Sequence, residues 1–427
     1  MCYAIPGKVI ELKNGIAVLN YFGEERRVLN EFGHIQVGDY VYAQGGVLIN
    51  RISQEEGIKT LRFWKKKFFE LKEVDEKLSE ISELGASDNI LEILQKVNLG
   101  MELTKKDVLK LLDAEDGDEL KLICETANNL RKKENDNACC VHGIIEFSNY
   151  CKNNCHYCGI RKDRDIQRYR MSPEEIVEVA KHAVNDFGFK ALVLQSGEDF
   201  WYDEEKLIWI VQEVRKLDVL IFLSIGVRSK ETYDKLYESG ARAVLLRFET
   251  SNKKLFEDMR PGTSFDDRIK LLKWLKDRGY IVATGFLVGL PGETREDIVN
   301  NIFLTKELGA DMYSHGPLIP AEQTPFENEK LIDESLMLKV IALSRLVDRD
   351  SKILVTTALE TLNMDAKKRG LLSGANSLMI NVTPKQYRER YTLYPGRPDK
   401  DKEIMGNIEE TLELLYSIGR APTDLGL

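Results

Sequence analysis

Three cysteines fall within eight residues, in Cys151-Lys152-Asn153-Asn154-Cys155-His156-Tyr157-Cys158. The chain has 427 residues and seven cysteines, an odd number that suits no disulfide framework. Crowded thiols in such a chain point to metal ligation. Three thiolates on one loop can bind three irons of a 4Fe–4S cluster and leave the fourth iron open to a small molecule. Structural zinc is the weaker alternative, because it closes its shell with four ligands. Only His156 stands near enough to complete such a shell, and it is wedged between two of the cysteines. Core thiols without a ligand are the remaining reading.

The elements that must position this loop follow from residue 140 onward, where strand, loop and helix alternate. Candidate strands are 141–147, 191–195, 219–224, 243–248, 281–287, 311–315, 353–357 and 377–381. Candidate helices between them are 173–187, 204–216, 230–239, 265–278, 295–308, 334–348 and 365–372. Eight strands with intervening helices predict an α/β fold, a (β/α)8 barrel. A doubly wound sheet gives a similar alternation. The cysteine loop then sits just after the first barrel strand, at the end where such barrels keep their chemistry.

The first 60 residues have another rhythm, short apolar runs broken by Gly, with Asn14-Gly15 as a hairpin signal. They predict a small all-β, OB-like barrel. From Ser53 the pattern turns helical. Ser87 is a candidate N-cap, Thr104 with Asp107 resembles a capping box, and Arg131–Asn137 reads as a loop. The expected division is residues 1–70 as the small barrel, 71–135 as a helical connector, and 136–427 as the large barrel.

The composition, 43% hydrophobic and 31% charged, is that of a globular chain. A net charge of -9 argues against nucleic acid as the main partner. No apolar run is long enough for a membrane span, and the start shows no basic-then-apolar signal pattern. The expected location is cytoplasmic.

The C-x-x-x-C-x-x-C spacing, with aromatic Tyr157 before the last cysteine, resembles the radical S-adenosylmethionine (SAM) superfamily. The resemblance implies that SAM chelates the open iron and is cleaved reductively to methionine and a 5′-deoxyadenosyl radical. Gln195-Ser196-Gly197-Glu198 takes the place of the superfamily's Gly-Gly-Glu element, and the run from Gly285 to Thr294 resembles its adenine-side turn. The SAM contacts so implied are Tyr157, Gln195, Ser196, Gly197, Glu198, Glu249, Arg268, Gly289 and Leu290.

Within that superfamily, Gly143–Asn149, Arg168–Glu175 and Leu194–Asp199 look like the HydE family, which matures the FeFe-hydrogenase active site. The similarity spans about residues 86–427. It implies a substrate cavity inside the barrel and a cysteine-bound iron carbonyl–cyanide substrate. Arg247, Glu249 and Tyr394 are the implied catalytic residues; Arg247, Thr356, Thr357, Tyr391 and Tyr394 are the implied substrate contacts. A structural Arg247–Glu249 ion pair and a packing role for the tyrosines are the plainer readings. Two departures stand out: Phe248 where the family usually has His, and Gly226-Val227-Arg228 in place of a Gly-Glu-Trp-like turn. Both are expected to face the cavity and to alter substrate choice.

Met1-Cys2-Tyr3-Ala4-Ile5-Pro6-Gly7, followed by a small β-module, resembles the HypC/HupF hydrogenase chaperones over about residues 1–70. This implies that Cys2 holds an additional iron fragment. Where that family often has a His, this chain has Gln44; His34 nearby reads as a surface residue. Together the two resemblances imply a radical SAM enzyme of hydrogenase-type cofactor assembly. Its electron donor would be a ferredoxin or flavodoxin, and other hydrogenase maturation proteins would be partners. Methylornithine synthase-like or biotin synthase-like action on a free amino acid is one alternative. A non-catalytic scaffold for an iron fragment is the other.

Overall fold

The computed structural model describes residues 5–82, 85–115 and 117–423; Cys2 lies outside them. Five strands come first: β1 (Gly7–Lys13), β2 (Ile16–Tyr21), β3 (Glu24–Leu29), β4 (Tyr40–Gln44) and β5 (Val47–Ile52). They close in the order β1-β2-β3-β5-β4, a five-stranded OB-like barrel. Asn14 and Gly15 form the expected turn between β1 and β2, with φ of 49° and 76°, as a type I′ hairpin requires. Helix α1 (Gln54–Leu78) starts where the Ser53 hydroxyl accepts the Glu56 N–H. It lays Trp64, Phe68 and Leu71 on the barrel core. Gly57 permits this approach, since a Cβ there would stand 2.4 Å from Tyr40 Cγ.

The connector continues as α2 (Asp88–Asn98), α3 (Lys105–Leu112) and α4 (Asp118–Asn135). The Thr104–Asp107 capping box forms, and Ser87 takes the N-cap position without a side-chain hydrogen bond. Ile93, Val108 and Ile123 belong to the same core as the large barrel. The connector is therefore part of that barrel's shell and not a swinging linker. The loop expected over Arg131–Asn137 is instead the last turn of α4, which runs through Asn135. Arg131 explains the difference: its guanidinium is fully buried and donates to Asp75 at 2.7 and 2.8 Å, so this turn is anchored inward.

The large barrel holds β6 (Cys140–Ser148), β7 (Ala191–Ser196), β8 (Leu220–Ser224), β9 (Ala243–Leu245), β10 (Ile281–Thr284), β11 (Leu287–Val288), β12 (Met312–Tyr313), β13 (Gly316–Pro317), β14 (Lys352–Val355) and β15 (Ser377–Asn381). All but β11 and β13 pair in parallel and close in the order β6-β7-β8-β9-β10-β12-β14-β15. The doubly wound alternative is excluded by the β15–β6 pairing, from Ser377↔Cys140 to Asn381↔Ile144. β9, β10, β12 and β14 end earlier than their apolar runs suggest. Past the barrel rim the backbone breaks away: Thr284 Oγ1 donates to the Leu246 carbonyl, and Glu249 adopts φ 67°. β11 and β13 form a separate parallel pair beyond that break.

The small barrel plugs the floor of the large one. Tyr42 and Ile49 pack among Ala191, Leu220, Ala243 and Ala283 in the lumen. Each such buried side chain contributes roughly 1.5–3 kcal/mol. Arg242 pairs with Glu31 at 2.8 Å around the rim. Among the described residues, no helix is long and apolar enough to cross a membrane.

Asp75 on α1 joins the connector to the end of the chain. It is buried between Arg131 of α4 and Arg420, whose Nε lies 3.0 Å away. Asp75→Ala leaves two buried guanidinium groups without their carboxylate, and the expected cost is about 3–5 kcal/mol. Urea denaturation checks this; a change under 1 kcal/mol would show that the seam does not depend on the network.

Candidate active site

β6 ends at Ser148, and the next ten residues form the cysteine loop. Backbone contacts hold it. The Lys152 N–H donates to the Glu198 carbonyl at 3.0 Å, and the Glu198 N–H points back to Cys151 Sγ at 3.4 Å. Gly197 makes this possible, because a Cβ there would lie 2.2 Å from the Tyr150 carbonyl oxygen and 2.8 Å from Cys151 Cβ. Gly159 serves the other end, where a Cβ would meet the Thr392 carbonyl oxygen at 2.0 Å. Arg168 threads beneath and donates to the carbonyls of Asn149, Ile160, Arg161 and Arg164. This brings Cys151, Cys155 and Cys158 together on the wall of one cavity of about 320 Å³. Burial pushes all three thiols up, Cys158 to about 12. A metal that binds them as thiolates must therefore displace protons.

Beside the cysteines lies a charged cluster. Glu198 stands 3.8 Å from Arg260 and 3.6 Å from Arg268. Glu249 stands 3.2 Å from Arg247 and 3.8 Å from Arg260. Arg260 donates to Tyr157 Oη at 2.7 Å, and Arg268 donates to the Arg247 carbonyl at 3.1 Å. Burial opposes the Arg260 charge, but Tyr157, Cys155, Glu249 and Glu198 around it raise its pKa. Three guanidinium groups and the Lys152 ammonium, 3.6 Å from Glu198, face two carboxylates in this cluster, which leaves positive charge in surplus for an incoming anion. Glu249 holds its left-handed φ of 67° here, strain of the kind that collects at functional sites.

The opposite end of the cavity is a second polar group. Glu146 accepts from Arg397 and Asn381, each at 2.9 Å, and Arg397 pairs with Asp399 at 3.0 Å. Burial raises the Glu146 pKa, with Arg397 acting against it. Tyr394, Thr356 and Thr357 also line the cavity, and Tyr391 packs near Cys158 and Leu393. Thr356 Oγ1 is buried with no hydrogen-bond partner among the described residues. Leu245, Leu287, Leu318 and Ile319 form apolar wall between the two ends.

The structure gathers most of the residues expected from the sequence. Tyr157, Gln195, Ser196, Gly197, Glu198, Arg247, Glu249, Arg268, Thr356, Thr357, Tyr391 and Tyr394 all reach the cavity. Gly289 and Leu290 stand beside it: the Gly289 N–H donates to Glu293 at 2.7 Å, and Leu290 packs with Phe256, Met259 and Tyr157. Of the two departures, Gly226 lines the cavity as expected, while Phe248 and Arg228 do not. Phe248 is fully buried in the outer core, 6.0 Å from the Phe286 ring, because Leu245, Arg247 and Glu249 take the cavity side and alternation leaves Phe248 the outer one. Arg228 turns toward the rim, donating to the Asp199 carbonyl at 2.6 Å and stacking over Phe200. Arg260, Glu146, Arg397 and Asp399 were missed as site residues. Glu146 is marked by the alternation of β6; the only local signals for the others are Arg260-Pro261-Gly262 after a short helix and Pro395-Gly396-Arg397-Pro398-Asp399 after the tyrosines. His34 is exposed, edge-on to Phe32.

Comparison with known proteins agrees with this geometry. The Radical SAM superfamily pattern matches residues 145–304, the HupF/HypC family pattern residues 1–64, and the Biotin and Thiamin Synthesis associated domain residues 316–416. The chain is 42% identical over 335 residues to the FeFe hydrogenase maturase subunit HydE of Thermotoga maritima, covering 78% of this chain and 95% of that one. This chain belongs to the HydE family of radical SAM enzymes. Its HydE-like part is also 33% identical over 340 residues to 3-methylornithine synthase of Methanosarcina acetivorans, covering 79% of this chain and 95% of that protein. The crystal structure of methylornithine synthase (PylB) matches with a TM-score of 0.69 at 28% identity, covering 78% of this chain and 97% of that one. The hydrogenase maturase HydG shares the fold, with a TM-score of 0.61 at 21% identity over 74% of this chain and 71% of that one.

Membership implies a 4Fe–4S cluster and SAM, and the residues of this HydE-family chain fit both. Three converging thiols suit the cluster, two close-approach glycines frame it, and the surplus guanidinium charge suits a carboxylate. Gly197→Ala forces the cysteine loop away from β7. The expected result of anaerobic reconstitution is a drop from about four irons per chain to about two or fewer, measured by iron analysis. Full iron loading would show that the Gly197 contact does not position the cysteines.

Proposed function

We propose that this enzyme uses SAM-derived radical chemistry on a cysteine-bound iron carbonyl–cyanide fragment in hydrogenase-type cofactor assembly. Residues 136–427 are the catalytic barrel, 71–135 the connector, and 1–70 a module that binds or delivers the iron fragment through Cys2. One observation carries the reading: a chain similar to a hydrogenase maturase has a HupF/HypC-like barrel seated in its floor.

The roles follow from position. Cys151, Cys155 and Cys158 hold the cluster. Glu198, Arg260 and Arg268, with Tyr157 and Gln195-Ser196-Gly197, bind the amino acid portion of SAM. Glu249 and Arg247 stand between that site and the substrate end. Held by these residues, a reduced cluster and SAM would supply 5′-deoxyadenosyl radical chemistry at the substrate end. Thr356 Oγ1, the Thr357 N–H and Arg247 orient a substrate carboxylate; Tyr391 and Tyr394 shape the cavity wall. Leu245, Leu287, Leu318 and Ile319 exclude water, which a radical intermediate requires. A ferredoxin or flavodoxin type of donor would meet the outer side of the cysteine loop, where exposed Lys152 lies over the exposed ring of Phe200 at 4.4 Å. Basic side chains there attract an acidic donor.

A free amino acid as substrate is the second reading. Its support is the similarity to 3-methylornithine synthase and a polar end that suits any α-amino acid.

Reconstituted enzyme reduced with SAM is expected to form 5′-deoxyadenosine, and Cys155→Ala none. A cysteine-ligated iron carbonyl–cyanide complex is expected to accelerate deoxyadenosine formation; cysteine, lysine or ornithine alone is not. Acceleration by a free amino acid alone selects the second reading. No deoxyadenosine from fully loaded protein leaves a scaffold. Thr356→Val removes a hydrogen bond to a charged group, about 1.5–3 kcal/mol. Half-maximal substrate concentration should therefore rise about tenfold or more; an unchanged value places the carboxylate elsewhere.

A further inference from the structure

β6 carries its lumen-facing side chains at every second residue. Ile144 and Glu146 of this face line the cavity, while Val141, Ile145 and Phe147 point into the outer core. Below Ile144 on the same face come His142 and Cys140. At about 3.3 Å per residue, His142 lies roughly 7 Å beneath the cavity floor. Its neighbour on β15 is Met379, a cavity-lining residue.

These two side chains touch each other and the small barrel. Cys140 Sγ lies 3.0 Å from His142 Nε2. Gln44 Nε2, from β4 of the small barrel, donates to the Cys140 sulfur at 3.1 Å. Gln44, Cys140 and His142 are 1%, 2% and 1% exposed. Gln44 Oε1 is buried and has no hydrogen-bond partner among the described residues. Closure alone would be served better by more apolar contacts like those of Tyr42 and Ile49, because burying an unsatisfied carboxamide oxygen is costly. A thiolate, an imidazole and an amide oxygen form instead a donor set for a borderline transition-metal ion. With metal–sulfur and metal–nitrogen bonds of about 2.3 and 2.1 Å, the 3.0 Å separation subtends roughly a right angle at the metal. That angle suits a six-coordinate ion better than tetrahedral zinc.

We propose that Cys140 and His142, with Gln44 Oε1 beside them, bind a divalent transition-metal ion at the seam between the two barrels. The ion's identity as ferrous iron rests on the proposed function above. Binding displaces the Cys140 proton to solvent, and His142 coordinates through an unprotonated Nε2; no electron is transferred. The site puts an iron ion one side-chain layer beneath the cavity, on the side opposite the cluster cysteines.

Cobalt(II) is the probe. It is titrated anaerobically into the full chain with its cluster in place, and bound cobalt and thiolate-to-cobalt charge-transfer absorption are read together. The expected result is one tight equivalent with a charge-transfer band. Cys140→Ser should abolish the band and weaken binding at least tenfold, and His142→Gln should weaken it about tenfold. The cluster's absorption and deoxyadenosine formation should stay at wild-type level in both, which reports an intact fold. A wild type that binds no cobalt overturns the site, and so does a band that survives Cys140→Ser. Loss of the band in Cys2→Ser but not in Cys140→Ser places the metal on the amino-terminal segment; it overturns this site while the proposed function stands. Cobalt bound as described by a protein that forms no deoxyadenosine keeps the site and removes the proposed function.

Discussion

Everything in the upper half of this molecule depends on holding three thiols close together with one side open. Nearby thiolates repel each other, so the loop must be fixed by the backbone before the metal arrives. The two-way exchange between Lys152, Glu198 and Cys151 does this on one side. The contact of Gly159 with Leu393, whose carbonyl accepts its N–H at 2.8 Å, does it on the other. The first contact couples the cysteine loop to β7, the second to the segment after β15. A closed barrel brings these neighbours of β6 to both of its sides, and an open sheet with β6 at an edge would supply only one. Barrel closure and cluster geometry are thus one constraint.

The floor of the barrel obeys a different rule. A barrel of eight short strands needs its lower mouth filled, and several lumen residues here are small: Ala191, Ala243 and Ala283. They leave room for Tyr42 and Ile49 from the small barrel. The plug is locked laterally by buried Asp75 with Arg131 and Arg420, so its position relative to the catalytic cavity is set by packing and ion pairing together. The amino-terminal barrel is consequently a structural part of the enzyme's interior as well as a separate fold.

Much of this was legible in the sequence. The switch from short Gly-punctuated runs to strand–helix alternation located both barrels, and the cysteine spacing picked out three thiols that the fold brings to one cavity. What stayed hidden depended on side-chain direction near the rim. Phe248 sits in the outer core and Arg247 on the cavity side, as the alternation running on from β9 places them, so an inward Phe248 runs against that alternation. Arg260 enters the site from the end of a short helix, and Arg397 from a Pro- and Gly-rich turn, where no periodicity marks an inward residue. Cys140 and His142 read as strand residues because Gln44, which completes their surroundings, lies 96 residues before Cys140.

The central claim is that the loop leaves one iron open toward Glu198, Arg260 and Arg268. Electron paramagnetic resonance of the reduced cluster, with and without SAM, tests it most directly. SAM is expected to change the spectrum, and SAM carrying nitrogen-15 in its amino group should add a resolved hyperfine coupling to the cluster. Identical spectra with saturating SAM, from protein with a full cluster, would contradict an open iron at this site.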